Sequence, residues 1–220
     1  MSHKSNSGSF VDELSLFTFS VSRVLKRIAE SSIRGFNSVF SVDGELRLDF
    51  YRDRGIQHTR AGRYALAIQQ LEPVLVHHAD DEDVLFHLGY CYFKTDRTKD
   101  GIALLEKVIE KDSSSARVCS ILGMAYLQAK DFEKAAGVLA KGVENNPENF
   151  NLNYRLGLAY DHIKEYDKAL EAFEKALAIR PSETKVYQSI GFVLDQQGKH
   201  DEAIVFFKKT AEIKENKISS

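Results

Sequence analysis

The chain has 220 residues, 43% of them hydrophobic and 28% charged, enough apolar content to bury a core and to exclude wholesale disorder. Its 30 Lys and Arg stand against 32 Asp and Glu, a formal charge of −2, so there is no global electrostatic case for nucleic acid or anionic lipid as a partner. The two cysteines, Cys91 and Cys119, show neither a disulfide framework nor zinc-ligand spacing and fit a reducing compartment.

The opening residues, MSHKSNSGSF, are polar and Ser-rich, without the basic and apolar regions of a secretory signal, and residues 1–13 are expected to be a disordered tail. Nowhere do about 18 apolar residues follow one another, so a cytoplasmic chain without a spanning helix is expected. From Leu14 the pattern becomes helical: Phe17, Val21, Val24 and Ile28 fall on one face, and a polar break precedes a second apolar group that includes Phe36 and Phe40. Residues 14–47 are therefore read as an N-terminal arm. Its stripe must be buried somewhere, against the next elements, another protein or a membrane surface. Arg23, Lys26, Arg27 and Arg34 flank it, as in interfacial helices, but Asp12, Glu13 and Glu30 dilute the charge.

Beyond the arm, glycine recurs at Gly55, Gly89, Gly123, Gly157 and Gly191, each 34 residues after the last. Twelve residues after each comes a small side chain (Ala67, Gly101, Ala135, Ala169, Ala203), and four further on a large one (Leu71, Leu105, Leu139, Phe173, Phe207). Within one period, Leu152, Leu156, Ala159 and Tyr160 recur at helical spacing, and after the break HIKEYD so do Ala169, Leu170, Phe173 and Leu177. The unit is a helix, a tight turn and a second helix. Small residues at Gly157 and Ala169 let the two helices approach, and Pro147 and Pro181 end the second helices of their units.

This order of Leu-Gly, Tyr, Ala, Phe, Ala and Pro resembles the tetratricopeptide repeat (TPR). The resemblance implies an all-α helix-turn-helix solenoid, a hook-like right-handed superhelix, with five clear repeats starting at Leu48, Glu82, Ala116, Phe150 and Thr184 and one degenerate repeat before them. Gly55 is then a helix-crossing residue and Gly62 the turn. Three departures carry expectations: Pro73 should kink or shorten its helix; the junction at 113–115 should be a hinge between domains at 48–115 and 116–217; and Asn153 and Cys119, in a slot usually given to an aromatic, should pack loosely.

A solenoid of this kind presents a groove lined by the first helix of each repeat. The frame places Asp49, Arg52, Asp53, Phe86, His87, Arg117, Tyr154, Arg155, Asp161 and His162 there, with Lys185 and Gln188 beyond, a mixture suited to an acidic or amphipathic peptide. The ninth position of each repeat, where a chaperone-binding clamp needs asparagine, holds Ile56, Tyr90, Met124, Leu158 and Phe192 and argues against such a clamp. Catalytic chemistry has no support: there is no HExxH and no nucleophile elbow, His58 sits in a packing slot, and Cys91 and Cys119 lie near packed faces. No cofactor and no metal is expected.

More specifically, FSVDGELRLDFYRDRGIQHTRAGRYALAI, VLFHLGYCYFKTDRTKDGIALLEKVIE and NFNLNYRLGLAYDHIKEYDKALEAF resemble the magnetosome-associated TPR proteins of magnetotactic bacteria. That resemblance implies a cytoplasmic scaffold that forms large homo-oligomers around the magnetosome membrane and recruits other magnetosome proteins. It also implies self-association through the arm, here Leu14 to Ser41, and a neighbour's groove around Arg52. The alternative is a monomeric adaptor holding a foreign acidic or amphipathic peptide in the same groove.

Overall fold

The structure, a computed structural model, describes residues 15–23 and 44–218, with side chains to residue 215. Among these residues there are eleven helices and no strand. Residues 15–23 form α1. The others are α2 (Gly44–Arg60), α3 (Tyr64–His77), α4 (Glu82–Lys94), α5 (Thr98–Lys111), α6 (Ala116–Ala129), α7 (Phe132–Asn145), α8 (Phe150–His162), α9 (Tyr166–Ile179), α10 (Thr184–Gln196) and α11 (His200–Ile218). They are the five expected helix pairs of a TPR solenoid. The chain folds as two compact units, one up to Leu88 and one from Gly89 onward.

Each hairpin closes on the glycine found by its 34-residue spacing. A Cβ added at Gly55 would come within 2.5 Å of Leu71, at Gly123 within 2.5 Å of Leu139, at Gly157 within 2.5 Å of Phe173 and at Gly191 within 2.6 Å of Phe207. The large side chain sixteen residues on thus lies directly on the backbone of the first helix, a contact only glycine permits. The second repeat differs in kind. There a Cβ at Gly101 would meet the Gly89 carbonyl oxygen at 2.7 Å and the Phe93 nitrogen at 3.0 Å, so backbone meets backbone and the small slot must also be glycine. At the other small slots Ala67, Ala135, Ala169 and Ala203 are buried. Leu105 lies on Gly89 as well, 3.0 Å from where its Cβ would be, which makes five such contacts. Leu71, Leu105, Leu139 and Phe173 are fully buried and Phe207 half-buried, and full burial of such a side chain contributes about 1.5–3 kcal/mol, so these contacts account for much of the cohesion within pairs.

The turns obey the same period. Gly62 (φ 71°), Asp96 (60°), Lys130 (63°), Lys164 (63°) and Gly198 (78°) all occupy the left-handed region, 34 residues apart. After each, a backbone N–H donates to the carbonyl five residues back, Arg63 to His58, Arg97 to Tyr92, Asp131 to Tyr126, Glu165 to Tyr160 and Lys199 to Leu194, every one at 2.9 Å. This is the Schellman arrangement that satisfies the last carbonyls of a helix.

In the second unit α5 packs on α6, α6 on α7, α7 on α8, α8 on α9, α9 on α10 and α10 on α11. Its core includes Phe150, Phe173, Ala176, Val186, Ile190 and Val193. Pro147 and Pro181 fall two residues beyond the ends of α7 and α9, as expected.

Two expectations on packing, an early helix end at Pro73 and loosely packed small side chains, are corrected. Pro73 lies inside α3 without ending it: the helix reaches His77 and has the same 14 residues as α5, α7 and α9. Nor are the small side chains loose. Cys119 is buried against Gly142, where a Cβ would come within 2.8 Å of the cysteine Cβ, and buried Asn153 donates from Nδ2 to the Pro147 carbonyl at 2.7 Å and the Asn149 carbonyl at 3.0 Å. Small residues meet small residues, so volume is conserved across the contact. At the 113–115 junction, inside the second unit, Asp112 accepts from the Ser114 backbone N–H (2.9 Å) and hydroxyl (2.6 Å), and Asn146 Nδ2 donates to the Ser114 carbonyl (3.1 Å).

Gly157→Ala is expected to lower stability by about 1–3 kcal/mol through overpacking on Phe173, while Gly137→Ala, with nothing within 4 Å of the new Cβ, raises it by about 0.5–1 kcal/mol. Lys164→Gly relieves a left-handed residue and is expected to gain up to about 1 kcal/mol. Thermal melting followed by circular dichroism reads all three.

Candidate protein-interaction face

In the first unit α1 lies on α2. Phe19 meets Phe50 edge-on with ring centroids 5.3 Å apart, Ser20 is buried, and Arg23 reaches Asp49 at 3.8 Å. This arrangement turns Phe17 and Val21 outward, 65% and 41% exposed. They are the two described members of the stripe expected in the arm; Val24, Ile28, Phe36 and Phe40 lie outside the described residues.

Arg52, the expected centre of the groove, is held by its own unit. Its Nε donates to Asp81 Oδ2 at 2.7 Å, Nη2 donates to Asp83 Oδ2 at 2.7 Å, and Nη1 lies 3.8 Å from Asp53 Oδ1. The hydrogen bond to Asp81 is the main cause that raises the guanidinium above its ordinary value. For Asp81 itself burial works upward, but the Arg52 hydrogen bond, the Val84 N–H and the Arg52 charge outweigh it, and its carboxyl sits below the usual range. Asp81 also caps α4, accepting from the Val84 N–H at 3.0 Å. Arg52 is thus a staple from α2 to the start of α4. Phe86 and His87 are 5% and 1% exposed, so they lie in the interior and not on an open face. Val84, Leu85 and Leu88 are buried as well, so α4 is enclosed on all sides over this turn.

In the second unit the first helices α6, α8 and α10 touch one another side by side. The ninth repeat position is apolar throughout this unit: Tyr90 on α4, Met124 on α6 and Leu158 on α8 are half-buried, and Phe192 on α10 is 59% exposed, edge-on to Phe207 at 5.3 Å. The sequence carried this signal at its 34-residue spacing, as evidence only against a clamp.

Arg155, on α8, is half-buried and reaches back to α6, where Nη1 donates to the Ser120 hydroxyl. Burial pushes its guanidinium below the ordinary value, only partly offset by Tyr90, and among the described residues it has no carboxylate partner. Tyr154 stacks on Phe150 with centroids 6.0 Å apart, and Lys185 Nζ lies 5.0 Å from the Tyr154 ring. Asp161 accepts from Gln196 Nε2 at 3.1 Å, and burial raises its carboxyl. His162 stacks on Phe132 at 4.1 Å, and Arg117 is exposed on α6. His58, Cys91 and Cys119 are buried in their packing slots.

Five hairpins with glycine crossings, Schellman turns and a side-by-side row of first helices define a tetratricopeptide-repeat solenoid. Tetratricopeptide-repeat family models match residues 58–124, 122–184 and 184–217. Among curated relatives, magnetosome protein MamA of Magnetospirillum gryphiswaldense is 39% identical over 85 residues, 39% of each chain, and MamA of Paramagnetospirillum magnetotacticum is 39% identical over 79 residues, 36% of each chain. The matched stretch therefore spans about two fifths of those relatives' length. The solved structure of MamA from strain MSR-1 superposes with a TM-score of 0.74 at 40% identity, covering 78% of this chain and 99% of that one; MamA from strain AMB-1 gives 0.72 at 41%, covering 78% and 93%. The chain belongs to the MamA family of tetratricopeptide-repeat proteins.

Asp81→Asn is expected to destabilise the first unit by about 1–2 kcal/mol at neutral pH, a figure kept small because the pair is partly exposed. Since the folded-state carboxyl is depressed, its contribution is complete above the ordinary value of 3.8 and is lost as pH falls below it. Acid unfolding curves should show a flatter response below that pH for Asp81→Asn than for the wild type.

Proposed function

We propose that this chain is a non-enzymatic protein-interaction scaffold that assembles into large homo-oligomers, each arm docking on the first-helix face of a neighbour. The observation that carries the reading is the outward presentation of Phe17 and Val21. Their helix is already anchored by Phe19 on Phe50, so the two apolar side chains four residues apart are spare, and the 34-residue stripe of Tyr90, Met124, Leu158 and Phe192 is an apolar surface of the kind that takes one face of a helix. The contact is head-to-tail. It uses different patches on the two partners and need not close, which suits a coat of open extent.

The named relatives are magnetosome proteins, and among the described residues no helix is long and apolar enough to cross a membrane. Both support a peripheral association with the magnetosome membrane, with other magnetosome proteins as further partners of the scaffold.

The test is light scattering after size exclusion on the full chain. Wild type is expected to form large species, and the double variant Phe17→Asp with Val21→Asp, both at exposed positions, to collapse to monomers with helix content unchanged. A wild-type chain that stays monomeric at all concentrations would sink self-assembly and favour the adaptor that binds a foreign peptide.

A further inference from the structure

We infer that Arg155 and the Ser120 hydroxyl form an anion socket beside the apolar stripe, and that it receives the carboxylate of Asp12 or Glu13 from the arm of a second copy. The inference rests on the proposed arm-to-face assembly and specifies its polar contact.

Arg52 in the first unit and Arg155 in the second are in opposite electrostatic states. Arg52 already holds Asp81 and Asp83 at 2.7 Å each. Arg155 is half-buried on α8 with a single acceptor, the neutral Ser120 hydroxyl, for a guanidinium that carries five N–H donors. A charge withdrawn from water and left without a counter-charge is costly, and a carboxylate placed against it recovers that cost through paired, charge-assisted hydrogen bonds. On α10 Lys185 is engaged: it lies 4.0 Å from Glu183 and over the rings of Phe150 and Tyr154. Burial also depresses the Arg155 guanidinium, in keeping with a site that lacks its anion.

The arm supplies the matching chemistry in the right order. Glu13, Phe17 and Val21 follow at four-residue spacing, with Asp12 beside Glu13. Phe17 and Val21 are outward on α1, and Glu13 is two residues ahead of the described part of that helix, within about 7 Å of chain reach. Phe17 and Val21 offer apolar anchors to Met124 and Leu158, and Asp12 and Glu13, next to them in the sequence, bring the acid that complements Arg155.

The experiment compares four full-length chains by light scattering over a range of concentrations: wild type, Arg155→Glu, the pair Asp12→Lys with Glu13→Lys, and the combination of all three changes. Each charge reversal is expected to raise the concentration needed for assembly by about tenfold or more, and the combination to restore it towards wild type. Raising salt should weaken wild-type assembly. Arg155→Glu is checked for helix content; if it does not fold, the Asp12→Lys, Glu13→Lys chain, which leaves the face intact, decides the matter alone. If that chain assembles as wild type does while Phe17→Asp with Val21→Asp collapses, the socket is overturned and the arm reading stands. If Arg155→Glu disassembles but Asp12→Lys with Glu13→Lys does not, the anion comes from elsewhere and the assignment to this arm is overturned. If Phe17→Asp with Val21→Asp also assembles normally, the arm reading falls and the socket with it.

Discussion

The molecule depends on one contact made five times: a large side chain of the second helix laid on a glycine of the first. Where Phe173 touches Gly157 or Leu139 touches Gly123, a single methyl group would intrude to 2.5 Å, so the distance between paired helices is set by the absence of a Cβ. Once that distance is fixed, the alanines at the small slots can be fully enclosed. The first helices are then carried at a regular spacing that brings α6, α8 and α10 side by side. The candidate interaction face is the consequence. Its stripe of Tyr90, Met124, Leu158 and Phe192 is regular because the glycines one position before each member are regular.

The turns show how far a period can persist beneath changing residue types. Glycine at 62 and 198 satisfies the left-handed conformation without strain, whereas Asp96, Lys130 and Lys164 adopt it at a cost of about 1 kcal/mol each. The geometry is kept because five backbone hydrogen bonds of equal length depend on it. Sequence inspection found the turn at Gly62, where the residue type reveals φ. It could not find the same turn at Lys130, because an exposed lysine has no necessary backbone preference and only the hydrogen-bond pattern forces one.

The same division runs through the site. Period, helix pairing, the burial of both cysteines and the packing of His58 were legible because they follow from spacing along one chain segment. The roles of Arg52 and Phe86 were not. Arg52 meets Asp81 and Asp83 across 29 and 31 residues, a pairing that repeat position alone does not announce, and Phe86 and His87 occupy nominal groove positions yet lie inside. A repeat frame assigns the same orientation to equivalent residues; local burial overrides it wherever neighbouring side chains differ in size. The ninth-position stripe was visible as a list of residues, but its meaning required the degree of exposure, which rises from half-buried Tyr90, Met124 and Leu158 to open Phe192.

What separates Arg52 from Arg155 is the company each keeps. Repeat position gives Arg52 and Arg155 similar prospects, adjacent slots on first helices of different repeats. One lies against two carboxylates of its own unit, and its charge is spent on holding α2 to α4. The other lies against a hydroxyl, with apolar side chains along the same row, in a setting where a counter-charge has more effect than it has in water. An isolated half-buried cation beside an apolar stripe favours partners that bring both an acid and apolar anchors and penalises those that bring only one. On the proposed reading, a face built on a generic repeat acquires selectivity from a half-buried charge that has no carboxylate partner among the described residues.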